Sequence, residues 1–234
     1  VVYNHTYSTN SVFQNTVPDY YYRMNPNGAF SSGSGCGNDT ASERYMYRRY
    51  MMDMLQYWVD EYHIDGYRFD LMGIHDVETM NLIRAMLDET DERILMYGEG
   101  WSGNSTFDPV SCTGTPVLGC TQKNADVTSD RVAFFNDQMR DALKGGVFSV
   151  EKGFVSGAAG KEGEIESCFL GRATGWCKTP AQSINYASCH DNMALFDRIT
   201  TATKKYTFED RVRMNDLAAA VVLLSQGVPF FQAG

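Results

Sequence analysis

Two charged residues share one face of a short apolar run, Gly66-Tyr67-Arg68-Phe69-Asp70-Leu71. Side chains two apart on a strand point the same way, so Arg68 and Asp70 project together while Tyr67, Phe69 and Leu71 face the opposite side. Charge on a sheet face is costly unless it is paired or used in chemistry. A guanidinium beside Asp70 favours its carboxylate form, and a carboxylate can act as a nucleophile. The same pattern also fits a structural ion pair at a sheet rim.

A second apolar run, Ile94-Leu95-Met96-Tyr97, leads into Gly98-Glu99-Gly100-Trp101. Glu99 therefore sits at a strand's C-terminal end beside an aromatic, where it suits a general acid or simply caps the following loop. A third run, Ile184 to Cys189, ends in His190-Asp191-Asn192, and an isolated His-Asp pair is ordinarily structural. His5 follows a fourth run, Val1 to Asn4. All four groups fall at or just beyond the C-terminal ends of successive strands, the face that holds the active site of a (β/α)8 barrel. Three carboxylates with no Ser-His or Cys-His nucleophile, in loops rich in aromatics that stack on sugars, favour glycoside cleavage over acyl transfer. A metal hydrolase is a weaker fit, because Arg68 opposes a cation beside Asp70. No zinc spacing is present.

The elements that must position these residues follow an alternating strand and helix pattern. Expected strands are Val1–Asn4, Tyr67–Leu71, Ile94–Tyr97, Val132–Phe135, Ile184–Cys189 and Pro229–Gln232, mostly continuous apolar runs that suit a parallel sheet covered on both faces. A long helix is expected after Thr40-Ala41-Ser42-Glu43, read as a capping box, with Tyr47, Met51, Met54, Leu55, Trp58, Val59 and Tyr62 as its apolar stripe. Val77, Met80, Ile83, Met86 and Leu87 predict a second helix. Thr207 with Asp210 opens a third that carries Val212, Leu217, Val221 and Leu224, and a shorter one spans about Asp137 to Lys144 before Gly145-Gly146. Residues 8–39, 102–130 and 147–183 are long polar connections expected to be functional loops.

The 234 residues, 43% hydrophobic, suffice for a sizeable core in one domain. A net charge of −9 repels phosphate backbones, which excludes nucleic acid as a partner. The apolar stretch Leu217 to Leu224 is far shorter than the roughly 20 residues of a membrane span. Six Cys, if paired, would suit an extracellular or cell-surface protein, with Cys112 to Cys120 and Cys168 to Cys177 as candidate bridges; the alternative is free thiols. Val1-Val2-Tyr3 reads as mid-strand and Pro229 to Gly234 stops just after a strand, so both ends are expected to be cut, with any leader upstream.

Four motifs in order, Val1-Val2-Tyr3-Asn4-His5, Gly66 to Asp70, Gly98-Glu99-Gly100-Trp101 and Ser188 to Asn192, resemble those of the α-amylase superfamily, glycoside hydrolase family 13. Their flanks, Asp70-Leu71-Met72-Gly73, Tyr97 to Trp101, Ser188 to Asn192, Gly35 to Thr40 and Phe134-Phe135-Asn136-Asp137, look like type I pullulanases rather than α-amylases, isoamylases or branching enzymes. The resemblance implies a truncated (β/α)8 TIM barrel covering about strands three to eight, so that residues 1–234 form one partial catalytic domain. It implies hydrolysis of α-1,6 branch linkages in pullulan and in branched starch or glycogen fragments. The alternatives are an α-amylase-like activity and a non-catalytic glucan-binding barrel.

By the same resemblance Asp70 is the nucleophile, Glu99 the acid and base, and Asp191 the stabiliser of an oxocarbenium-like transition state. His5 and His190 contact the sugar at the cleaved bond, Arg68 orients Asp70, and Trp101 and Met72 join the substrate-binding set. No cofactor is required. Asn4 matches a position that many amylases use for structural calcium.

Overall fold

The computed structural model describes residues 1–101, 103–172 and 175–232. Ser102, Ala173 and Thr174, in two of the long connections, and the final Ala233-Gly234 lie outside the described residues. Two compact units are present, Val1–Phe134 and Phe135–Gly234.

In the first unit, α1 (Val12–Thr16) and α2 (Tyr45–Tyr62) precede β1 (Gly66–Phe69), α3 (Val77–Thr90), β2 (Leu95–Gly98) and the start of β3 (Ala133–Phe135). β1 pairs in parallel with β2 from Gly66 opposite Leu95 to Phe69 opposite Gly98, and β2 continues to β3 through Tyr97 and Ala133. The alternation expected of β1 is present: Tyr67 and Phe69 are buried, while Arg68 is only partly so. Crossing from β1 to β2 through a helix is what parallel pairing demands, and α3 supplies it. Asp76 caps α3 by accepting the Thr79 N–H, and Val77, Met80, Ile83 and Leu87 are buried, as their spacing predicts.

Two expectations here need correction. Val1–Asn4 forms no named strand; Val1 makes a single parallel rung with β1, donating to the Arg68 carbonyl at 2.6 Å and accepting from Asp70 N–H at 3.0 Å. The chain then turns to the Thr40 amide, which donates to the Asn4 carbonyl. The capping box before α2 is also absent. The Glu43 carboxylate is held by Arg23 at 2.7 Å, with both side chains fully buried, and the Thr40 hydroxyl donates to the Tyr3 carbonyl. Arg44 occupies the N-cap without capping the helix, its guanidinium held instead by Asp108. Tertiary partners outcompeted the local cap. The stripe of α2 buries Tyr47, Met51, Leu55 and Val59, whereas Trp58 and Tyr62 stack on each other in solvent at 4.6 Å.

The second unit carries α4 (Asp137–Lys144), α5 (Glu162–Phe169), β4 (Ser183–Asn185), α6 (Leu195–Ala202), α7 (Phe208–Leu224) and β5 (Val228–Pro229). β4 and β5 are parallel, Ile184 opposite Val228, and the Phe230 N–H extends the pairing by donating to the Asn185 carbonyl. Ile184–Cys189 is thus a strand only at its start. Beyond it Tyr186 packs its ring on Phe135 at 5.0 Å, and Arg140 donates to the Tyr186 hydroxyl. The Thr207 and Asp210 box opens α7. Its buried face is Ala218, Val221 and Val222; of the expected stripe Val221 is buried, whereas Leu217 and Leu224 are exposed. Met139, Leu143, Ile165, Cys168 and Ile199 complete this unit's core. Gly145 ends α4 at a φ of +88°, a conformation glycine adopts without strain.

All six Cys, each among the described residues, are free, so neither candidate bridge forms; Cys120 and Cys168 are buried. Among the described residues no helix is long and apolar enough to cross a membrane.

Candidate active site

The first unit gathers Asn4, His5, Arg68, Asp70 and Glu99 around the C-terminal ends of β1 and β2. Arg68 lies on β1 with Asp70 just past its end, and Glu99 follows β2. In-register pairing sets Phe69 opposite Gly98, so the two carboxylates leave adjacent strand ends together. One guanidinium nitrogen of Arg68 donates to Asp70 Oδ1 at 2.8 Å and another to Glu99 Oε1 at 2.6 Å. A carboxylate oxygen of Asp70 lies within 4.8 Å of one of Glu99. Glu99 is almost fully buried, whereas the Arg68 and Asp70 side chains are about a quarter exposed.

The backbone is shaped around Glu99. Its N–H donates to the Phe69 carbonyl, its carbonyl accepts from Gly73 N–H, and its Oε2 accepts from Leu71 N–H at 2.8 Å. Leu71 adopts a left-handed conformation, φ +42° and ψ +50°, which is costly for a branched residue and turns its amide onto Glu99. Gly73 permits a close backbone approach: a Cβ there would fall 1.9 Å from the Trp101 carbonyl oxygen. A Cβ at Gly98 would strike Met72. That residue is fully buried and packs against β2. Trp101 is half-buried.

Asn4 is fully buried and donates Nδ2 to the Asp70 carbonyl at 2.9 Å and to Asp70 Oδ2 at 3.1 Å. Its Oδ1 faces His5 Nδ1 at 2.5 Å. With the amide nitrogen on Asp70 and the amide oxygen on His5, this side chain does not fit the calcium ligand suggested by its motif.

The first two long connections are tied together at Asp39, whose carboxylate accepts from Ser31, Gly33, Ser34 and Ser105. Burial pushes that carboxyl up, but the hydrogen bonds from Ser34, Ser105 and Ser31 outweigh it and hold it below the usual range. His75, which no sequence motif singled out, is fully buried with neither ring nitrogen hydrogen-bonded. Burial and then Arg23 push it down to about 3, against an upward pull from Asp70.

In the second unit His190 Nε2 lies 3.4 Å from Asp191 Oδ1, and both side chains are mostly exposed. Asn192, at a φ of +67°, turns the chain immediately after them.

No family model matches the sequence. The pullulanase of Bacillus subtilis (strain 168) is 38% identical over 245 residues, covering 100% of this chain and 32% of that protein. Pullulanase 1, chloroplastic, of Arabidopsis thaliana is 34% identical, covering 100% of this chain and 30% of its own length. Over its whole length this chain is homologous to pullulanases. The crystal structure of pullulanase from Paenibacillus barengoltzii, in complex with maltohexaose and α-cyclodextrin, superposes with a TM-score of 0.93 at 43% identity, over 99% of this chain and 36% of that one. The chain spans about a third of the length of each of these two curated pullulanases.

Proposed function

We propose that this chain is the catalytic portion of a retaining debranching hydrolase of glycoside hydrolase family 13, a stretch of a (β/α)8 barrel that cleaves α-1,6-glucosidic links in pullulan and branched α-glucans. The observation that carries the reading is the carboxylate pair of Asp70 and Glu99, bridged by Arg68 and with oxygens within 4.8 Å, in a chain homologous to pullulanases. That separation suits a retaining mechanism, in which the two carboxyl groups stand about 5–5.5 Å apart; an inverting enzyme needs room for a water between them.

Asp70 attacks the anomeric carbon, forming a glycosyl ester as the bond to the leaving 6-oxygen breaks. Glu99 gives that oxygen its proton. A water then replaces the departed sugar, Glu99 removes its proton, and the hydroxide oxygen attacks the anomeric carbon, freeing Asp70 and restoring the α configuration. Asp191 offsets the positive charge that builds on the ring in both transition states, and His190, His5 and Trp101 contact the sugar.

The experiment is incubation of the intact protein with pullulan. Maltotriose is the expected product. Cleavage of linear amylose without maltotriose release from pullulan would replace the reading with an α-amylase-like one.

A further inference from the structure

We infer that Asn4 is a positioning residue for this reaction, steering the Asp70 carboxylate with one end of its amide and fixing the tautomer of His5 with the other. The inference rests on Asp70 being the nucleophile.

The geometry determines which way the amide points. A backbone carbonyl only accepts hydrogen bonds, so the Asn4 atom 2.9 Å from the Asp70 carbonyl must be the NH2 group. This removes the ambiguity that amide side chains otherwise carry. The second NH2 hydrogen is then available to Asp70 Oδ2 at 3.1 Å. Arg68 holds the other carboxylate oxygen, Oδ1, at 2.8 Å. Donors from two separate segments thus grip the two oxygens, and the carboxyl plane cannot swing about its Cβ–Cγ bond without losing one of them.

The other end of the amide is an acceptor and faces His5 Nδ1 at 2.5 Å, so Nδ1 carries a hydrogen. Neutral His5 therefore keeps its lone pair on Nε2. Asn4 is itself held in place, fully buried, with its carbonyl accepting from Thr40 N–H at 3.0 Å. Donor and acceptor on one short, immobilised side chain are what the two neighbours require together. An Asp would set a second carboxylate against Asp70, and a Leu would serve neither neighbour.

The test uses the intact protein carrying Asn4→Ala or Asn4→Asp, with the folded fraction fixed by active-site titration. A misplacement of about 1 Å at the reacting atoms costs on the order of a hundredfold. A fall of kcat on pullulan of about that size is therefore expected in both variants, with KM within about threefold of wild type. With a maltotriosyl fluoride, whose leaving group needs no protonation, the first burst of fluoride, which reports attack alone, should be fast in Glu99→Gln although its later turnover stays slow for want of a base, whereas the burst stays slow in the Asn4 variants, whose defect lies in attack. A wild-type kcat in both Asn4 variants, or their recovery with the fluoride, overturns the inference. Asp70→Asn separates the two levels: if it abolishes turnover while the Asn4 variants keep theirs, only the role of Asn4 falls. If Asp70→Asn turns over normally, the proposed function falls first.

Discussion

Arg68 reaches across from β1 to Glu99 beyond β2 at 2.6 Å while it holds Asp70 at 2.8 Å. Its planar fork spans two carboxylates at fixed angles, which a single ammonium cannot do. Arg68→Lys should therefore lower kcat on pullulan by about a hundredfold with little change in folding. Steady-state kinetics beside a thermal melt checks this, and unchanged kcat would show that the bridge is only structural.

Arg23 and Glu43 form a fully buried ion pair, and Arg23 also donates to the Ile74 carbonyl and to Ser105. Removing one charge leaves the other stranded away from water, at a cost of about 3–5 kcal/mol. Glu43→Gln should lower the unfolding free energy by that order, and Arg23→Met combined with Glu43→Leu should recover a large part of it. Denaturant titration of the intact protein reads both; a Glu43→Gln loss below about 1 kcal/mol would contradict the account.

His75 makes folding sensitive to acid. Buried and neutral in the native state, it binds no proton until pH approaches about 3, whereas in the unfolded chain it binds one below the ordinary histidine value of 6.5. The unfolded state therefore holds more protons throughout that window. This contribution to stability is intact above pH 6.5, falls by about 1.4 kcal/mol per unit as pH drops, and is fully lost near pH 3. The unfolding free energy of wild type and His75→Phe should diverge in slope across this range, and parallel curves would refute the assignment.

Gly73 and Gly163 offer a contrasting pair. A Cβ at Gly73 meets the Trp101 carbonyl at 1.9 Å, but at Gly163 in α5 it meets nothing within 4 Å. Gly73→Ala must push back the segment that carries Glu99, so kcat should drop at least tenfold. Gly163→Ala should leave kcat unchanged and stabilise by about 0.5–1 kcal/mol. Kinetics and thermal melts on the two variants check this.

Much of this arrangement was legible in the residues themselves. The two-residue period of Gly66 to Leu71 put Arg68 and Asp70 on one face, and the spacing of Val77 to Leu87 defined the buried side of α3. What escaped was decided by partners distant in sequence. Thr40 and Glu43 carry a capping pattern, yet Tyr3 and Arg23 claim them first. The short helices α1, α5 and α6, five or eight residues each, have too few turns for a period to stand out. His75 carries no motif, because burial without a hydrogen-bond partner leaves no trace in local sequence.

The most direct measurement is mass spectrometry of the intact protein after reaction with a fluorinated maltosyl fluoride that forms the glycosyl ester quickly and releases it slowly. One sugar adduct per chain is expected, attached at Asp70 in the peptide that contains Tyr67 to Leu71. An adduct on Glu99, Asp191 or any other side chain, or products released with inverted anomeric configuration, would contradict it.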